Sequence, residues 1–294
     1  MAAAGIKPLT EGGILSVATG APNTLATLKG GISYTDVDNG FARSHLMMDI
    51  LQPDRAAQAG PTPAIVFVSG NGWRSIDRAC HVPTLAQFAR AGFLVASIDY
   101  RISGEAVFPA ALQDVKAAVR FLRAHAKTYN LNPACIGMWG NSAGGHLTAM
   151  AATTGDLPAF ENDKWPGFSS SIQAAVPWYA PSDLSDLPSD GLMVENVQMG
   201  CNVKDPANAA RVKTASPLAY VSAQTPPLLL VHGTVDPVVP LFHSERLHQA
   251  VLAAGGTSTL LRVEGALHSF GEVSSVPEVM AAMLAFFNKH LKNS

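Results

Sequence analysis

The segment Gly140-Asn141-Ser142-Ala143-Gly144, extended by Gly145 and His146, confines the chain to folds in which a strand feeds a helix through a sharp turn. It stands between the apolar run Cys135-Ile136-Gly137-Met138-Trp139 and an Ala-rich, helix-patterned stretch, Leu147 to Ala152. A short strand, a tight G-x-S-x-G turn and a helix in that order describe a nucleophile elbow. The spacing has a chemical reason. The serine must sit on a strained turn to expose its hydroxyl, and side chains two residues to either side would collide with neighbouring backbone. Glycine removes the collision and permits unusual φ/ψ. The helix N-terminus then presents backbone N–H groups and a positive dipole end where negative charge develops. The bare pattern also fits an ordinary Gly-rich turn, so its surroundings decide.

A serine nucleophile needs a base, and the base needs an orienting carboxylate. Downstream, Pro227-Leu228-Leu229-Leu230-Val231-His232-Gly233 has the composition of a buried strand and runs into the turn Thr234-Val235-Asp236-Pro237. Asp236 therefore leaves the C-terminal end of a strand, where open α/β sheets place their sites. An amphipathic stretch, Leu241 to Ala254, and a strand, Ser258 to Val263, follow. The next loop, Glu264-Gly265-Ala266-Leu267-His268-Ser269-Phe270, delivers His268 at another strand end. Alone, Asp236 would be a turn residue and His268 a surface residue. Together, in the order Ser, Asp, His, each just after an apolar strand, they form a candidate triad. Asp183, after the strand-like Ala174 to Tyr179, is a rival carboxylate. His146 lies inside the helix after the elbow and is expected to pack rather than react.

Acyl transfer also needs donors for the tetrahedral oxyanion. One is the N–H after the nucleophile, at Ala143; the others are sought in a loop after an earlier strand. Ala64-Ile65-Val66-Phe67-Val68 leads into Ser69-Gly70-Asn71-Gly72-Trp73-Arg74. With these motifs the chain resembles the hormone-sensitive-lipase-like and feruloyl/acetyl-xylan-esterase-like branch of the α/β-hydrolases. The resemblance runs nearly end to end. It includes Met48-Asp49-Ile50-Leu51-Gln52-Pro53, Phe108-Pro109-Ala110 with Asp114 to Arg120, and the elbow. It closes with His232-Gly233-Thr234-Val235-Asp236-Pro237-Val238-Val239-Pro240 and Leu267-His268-Ser269-Phe270. It implies an α/β-hydrolase fold, with Ser142, Asp236 and His268 as triad and Asn71, Gly72 and Ala143 as oxyanion donors. Trp73 and Asn141 are candidate substrate-binding residues. Two departures stand out: the usual His of the family's H-G-G-G loop is Ser69, and its middle Gly is Asn71. Ser69 cannot brace the loop as an imidazole does, so a different brace or a looser loop is expected.

Composition agrees. The 294 residues are 48% hydrophobic and 14% charged with net charge −2, ample for a core and without a disorder signature. No Lys/Arg run offers a nucleic-acid surface, and no apolar stretch reaches transmembrane length. Met1 to Pro8 lacks a signal-peptide apolar core, so cytoplasmic residence is expected, secretion with a removed leader being the alternative. Cys80, Cys135 and Cys201 form no C-x-x-C pair, so neither a disulfide framework nor a metal site is indicated. The mechanism needs no cofactor.

Strands are expected near 45–51, 64–69, 93–99, 135–140, 174–180, 227–232 and 258–263, and helices near 82–91, 110–127, 143–153, 241–254 and 276–291. This alternation argues for a mainly parallel sheet with helices on both faces, built as one domain over 1–294. The 110–127 helix gathers Ala111, Leu112, Val115, Ala118, Val119 and Leu122 on one face, with Lys116, Arg120 and Arg123 elsewhere. Residues 1–40 look like an irregular arm or edge hairpin. Residues 184–224, which hold Leu192, Met193, Val194, Met199 and Cys201, break the alternation as a lid, a pocket wall or a plain surface excursion. Trp165, Phe168, Trp178 and Tyr179 could line an aromatic subsite or simply pack.

The expected activity is therefore two-step hydrolysis of a small-molecule ester. An amide or formamide substrate, a short peptide, and a non-catalytic ligand-binding homologue are the alternatives. Homo-oligomerisation through an edge strand is a further possibility on which the sequence is silent.

Overall fold

The computed structural model describes residues 26–38, 43–53, 60–188 and 194–292. Eight strands form one sheet: β1 (Ala26–Asp38), β2 (Arg43–Pro53), β3 (Thr62–Val68), β4 (Leu94–Ile98), β5 (Leu131–Asn141), β6 (Ala174–Trp178), β7 (Leu228–Gly233) and β8 (Ser258–Val263), in the spatial order β1-β2-β4-β3-β5-β6-β7-β8. The β1–β2 and β2–β4 pairs are antiparallel and the rest parallel. This is the α/β-hydrolase fold. Val66 of β3 and Met138 of β5 are partners in register, and β5 extends to Asn141, just before Ser142. The central strands are continuous apolar runs because both of their faces are covered; β4 and β6 are buried throughout.

Two apolar clusters lie on opposite faces of the sheet. One takes Leu112, Val115 and Val119 from the helix Ala110–Ala124 and Leu147 and Met150 from Ala143–Thr154. The other takes Leu85 and Phe88 from Val82–Arg90 and Val279, Met283 and Phe287 from Pro277–Phe287.

The structure sharpens three expectations. Residues 26–38, expected as an irregular arm or edge hairpin, form the edge strand β1, paired antiparallel with β2; residues 1–25 lie outside the described residues. Most of the first half of β1 is exposed, and its pairing with β2 shifts register between Lys29 and Ile32, so it carries no apolar run. Gly31, at φ 68°, occupies this irregularity, where a left-handed residue favours glycine. The second concerns Lys116 and Arg120, which stand off the apolar face as expected but are themselves buried. The segment after Thr154 folds back over their helix, so that Lys116 Nζ meets Glu161 Oε1 at 3.0 Å and Arg120 Nε donates to Lys164 O at 2.8 Å. Third, the 276–291 helix is broken: Pro277 starts a helix ending at Phe287, and a π-wound turn, Asn288–Lys292, follows.

Within 184–224, the helices Val194–Met199 and Ala209–Lys213 alternate with 3-10 turns. Leu192 and Met193 lie outside the described residues.

Candidate active site

Loops leaving the carboxyl ends of β3, β5, β7 and β8 converge on one cavity, as the topology of an open parallel sheet requires. Ser142 follows β5 at φ 54° and ψ −121° and precedes the helix Ala143–Thr154. Such a conformation costs a non-glycine residue on the order of 1–3 kcal/mol and persists only where its surroundings enforce it. Here Ser142 N–H donates to Trp178 O on β6, and Ser142 O accepts the His146 N–H. At Gly144 the constraint is space: a Cβ there would lie 2.0 Å from Val68 O. The elbow helix thus presses directly on the end of β3.

His268 reaches this point from β8. Its Nε2 is 2.8 Å from Ser142 Oγ and its Nδ1 is 2.6 Å from Asp236 Oδ2. The second oxygen of Asp236 accepts the Val238 and Val239 N–H groups at 2.8 and 2.9 Å. His232, buried beneath, has Nε2 3.4 Å from Asp236 Oδ2 and 2.8 Å from Val239 O. Burial alone would raise the Asp236 pKa. Hydrogen bonds from His232, His268 and the backbone outweigh it and hold the carboxyl well below the ordinary aspartate range. Asp236 is therefore an anion at neutral pH, and it fixes the tautomer that leaves Nε2 free to accept from Ser142. Asp183, the rival, instead caps a short turn, accepting from Ser185 N and Oγ.

The 69–74 loop borders the same cavity with Asn71, Gly72 and Trp73, and Ala143 faces them from the elbow. Among the described residues neither Asn71 N–H nor Gly72 N–H donates a backbone hydrogen bond. Gly72 and Trp73 take φ 56° and 55°, which turns the loop over the elbow. The Asn71 side-chain amide is engaged with Ser75 Oγ. The loop is braced from outside: Tyr100 Oη donates to Ser69 O at 2.8 Å and Ser103 N–H to Trp73 O at 2.7 Å.

The two candidate substrate contacts are less open than the sequence implies. Trp73 borders the cavity but is 2% exposed, its indole edge-on to His146 with centroids 5.2 Å apart. Asn141 also borders the cavity, but it is 7% exposed and its Oδ1 accepts the Gly70 N–H at 3.0 Å. Of the four aromatics considered for a subsite, Tyr179 alone lines the cavity; Trp178 is buried and the Trp165 indole donates to Tyr34 O.

The cavity, about 460 Å³, is lined by polar residues, among them Asn71, Arg74, Ser75 and Asp77, and by apolar ones, among them Leu187, Val194, Val238 and Val239. His81 stacks on Phe270 at 3.7 Å between centroids along its wall. Sequence reading missed this stack and the Tyr100 brace. The only available signal for the stack was the position of Phe270 two residues beyond His268. Among the described residues no group of three or more His, Cys, Asp or Glu could hold a metal ion, and no helix is long and apolar enough to cross a membrane.

Residues 48–251 match the protein-family model described as BD-FAE. Esterase LipQ of Mycobacterium tuberculosis is 30% identical over 257 residues, which cover 84% of this chain and 60% of LipQ. The chain spans about half to three-fifths of the length of the curated relatives it matches. A truncated carbohydrate esterase from gut microbiota superposes with a TM-score of 0.78 at 29% identity, over 92% of this chain and 99% of that one. A butyrate-bound thermophilic esterase from Thermogutta terrifontis superposes with a TM-score of 0.71 at 28% identity, over 91% of this chain and 94% of that one.

Proposed function

The chain belongs to the BD-FAE family of α/β-hydrolases, and we propose that it hydrolyses small carboxylic esters through a covalent acyl-enzyme on Ser142. The observation that carries this reading is the unbroken hydrogen-bond chain from Asp236 through His268 to Ser142 at the edge of an open cavity. His268 Nε2 takes the Ser142 proton as Oγ attacks the ester carbonyl carbon. Asp236 stabilises the imidazolium that results. The carbonyl oxygen becomes an oxyanion facing the N–H groups of Asn71, Gly72 and Ala143. Collapse breaks the bond to the leaving alcohol, whose oxygen receives the proton from His268. Water, deprotonated by the same imidazole, then attacks the acyl-enzyme and releases the acid.

The mixed lining suits both parts of such a substrate: Leu187, Val194, Val238 and Val239 offer apolar contact to an acyl group, and Asn71, Arg74, Ser75 and Asp77 offer polar contact to an alcohol. A short or aromatic acyl group suits a cavity of this size, and the carbohydrate-esterase likeness favours an acylated polyol as the alcohol. Residues 184–224 serve in this reading as a wall of the single domain's pocket. Val194 packs over Gly72, and Lys204 Nζ donates to Ser185 O and Leu187 O, each at 2.6 Å.

The test is hydrolysis of p-nitrophenyl esters from acetate to palmitate, with Ser142→Ala as the blank. Turnover should favour C2–C6 acyl chains and fall in the variant by as much as roughly 10⁶ in kcat. Absence of Ser142-dependent turnover on every ester, with cleavage of an N-formyl arylamine, would replace the ester reading by an amide one.

A further inference from the structure

We propose that Asn141 is a positioning residue for the oxyanion loop: its buried carboxamide ties the loop to the nucleophile strand and so sets the distance between Ser142 and the donors. The inference rests on the ester-hydrolase reading above. The loop and the elbow meet backbone to backbone. A Cβ at Gly70 would stand 2.1 Å from Asn141 O and 2.9 Å from Ser142 Cβ, so no side chain fits between them and the loop cannot be wedged in place from within. Ser69 Oγ reaches Gly70 O, at 3.4 Å, inside the loop, and interacts with the Cys80 thiol, not with the elbow.

The bond that crosses from loop to elbow is Gly70 N–H to Asn141 Oδ1, at 3.0 Å. Asn141 immediately precedes Ser142, so one residue carries both the strand end that presents the nucleophile and the acceptor that holds the opposing loop. At 7% exposure, water has little access to replace that acceptor, and an unpaired amide there is costly. The Asn141 side chain also interacts with the Tyr179 hydroxyl, and the Tyr179 ring lies edge-on to His268 with centroids 4.5 Å apart. Asn141 therefore stands between the loop and the aromatic support of the base. Its carboxamide is occupied by protein, which separates this role from a substrate contact.

The experiment compares Asn141→Ala, Asn141→Ser and Asn141→Asp with wild type on p-nitrophenyl acetate and on acetates of aliphatic alcohols. Active sites are counted by stoichiometric phosphorylation with paraoxon, so unfolded molecules do not enter kcat. Alanine should lower kcat per site by about 10- to 100-fold, less than the roughly 10²–10³ of deleting an oxyanion donor. KM should stay within about twofold, because the missing interaction acts in the transition state. Serine, too short to reach Gly70, gives the same reading should the alanine protein fold poorly. Aspartate keeps an oxygen acceptor in place and should recover most of the loss. The rate of paraoxon phosphorylation should follow the same order, since the phosphoryl oxygen enters the same donors.

Unchanged kcat per site in alanine and serine would overturn the proposal, and so would aspartate no better than alanine. A KM effect that varies with the leaving alcohol would make Asn141 a substrate contact instead. Failure of the ester reading is separate: wild type would show no Ser142-dependent turnover, while the phosphorylation rates would still score Asn141.

Discussion

At the scale of single residues, Asp236 of the proposed triad is held as an anion while largely shut off from water. Its carboxylate meets two backbone N–H groups and two imidazoles, which together overcome the burial that would otherwise protonate it. Replacing it by asparagine preserves shape but presents the His268 ring with an amide. An amide N–H facing Nδ1 would favour the tautomer with its proton on Nε2, and that ring cannot accept from Ser142. Asp236→Asn should therefore lower kcat by about 10⁴ with little change in KM, as loss of the orienting carboxylate does in triads generally. Single-turnover acylation kinetics check this; a variant that acylates at the wild-type rate would remove Asp236 from the reaction.

At the scale of elements, strands and helices position the candidate site, and residues of the 184–224 segment line its cavity. Leu187 and Val194 reach the cavity from that segment, and Lys204, midway along it, ties back to its start by donating to Ser185 O and Leu187 O. Lys204→Ala should loosen this wall, raising KM several-fold across butyrate esters while kcat holds, because the triad is untouched. Steady-state kinetics decide it, and an unchanged KM would mean the segment does not shape the pocket. Strands such as β4 and β6 were legible because burial on both faces writes continuous apolar runs. The order of Ser142, Asp236 and His268 was legible because each follows such a run. What escaped the sequence is long-range. The Tyr100 and Asn141 anchors span 31 and 71 residues, and no local pattern encodes them. The edge strand β1 was legible only as an irregular arm or edge hairpin, because its exposed half needs no apolar side chains. The burial of Lys116 and Arg120 was not legible for a related reason: helical periodicity gives the face of a residue but not the loop that returns to cover it.

At the scale of the whole molecule, packing helices on both faces of the sheet buries histidines that the chemistry does not use, and these make stability depend on pH. His146 is fully buried, with Nε2 2.7 Å from Ala215 O, and His243 is buried 3.3 Å from Ser182 Oγ. Burial pushes each down to about 4 from the ordinary value of 6.5. The Ala215 carbonyl opposes this at His146; at His243, Asp186 and Asp183 oppose it while His232 and Arg246 reinforce it. The sign follows from which state binds protons. As pH falls through 6.5 the unfolded chain protonates both imidazoles, whereas the folded chain does so only near 4. Stability from keeping them neutral is thus fully present above about pH 6.5 and is lost progressively toward pH 4, by up to about 1.4 kcal/mol per pH unit for each histidine. Asp236 does not contribute in this window: its depressed pKa stabilises the fold above the unfolded value of about 3.9, and that contribution is lost only at lower pH. Urea unfolding between pH 7.5 and 4.5 should therefore show a falling free energy. His146→Gln, which can still donate to Ala215 O, and His243→Gln should each make the slope shallower by about one proton, whatever they cost at neutral pH. Should both variants keep the wild-type slope, the acid sensitivity would have to come from groups other than the histidines buried between sheet and helices.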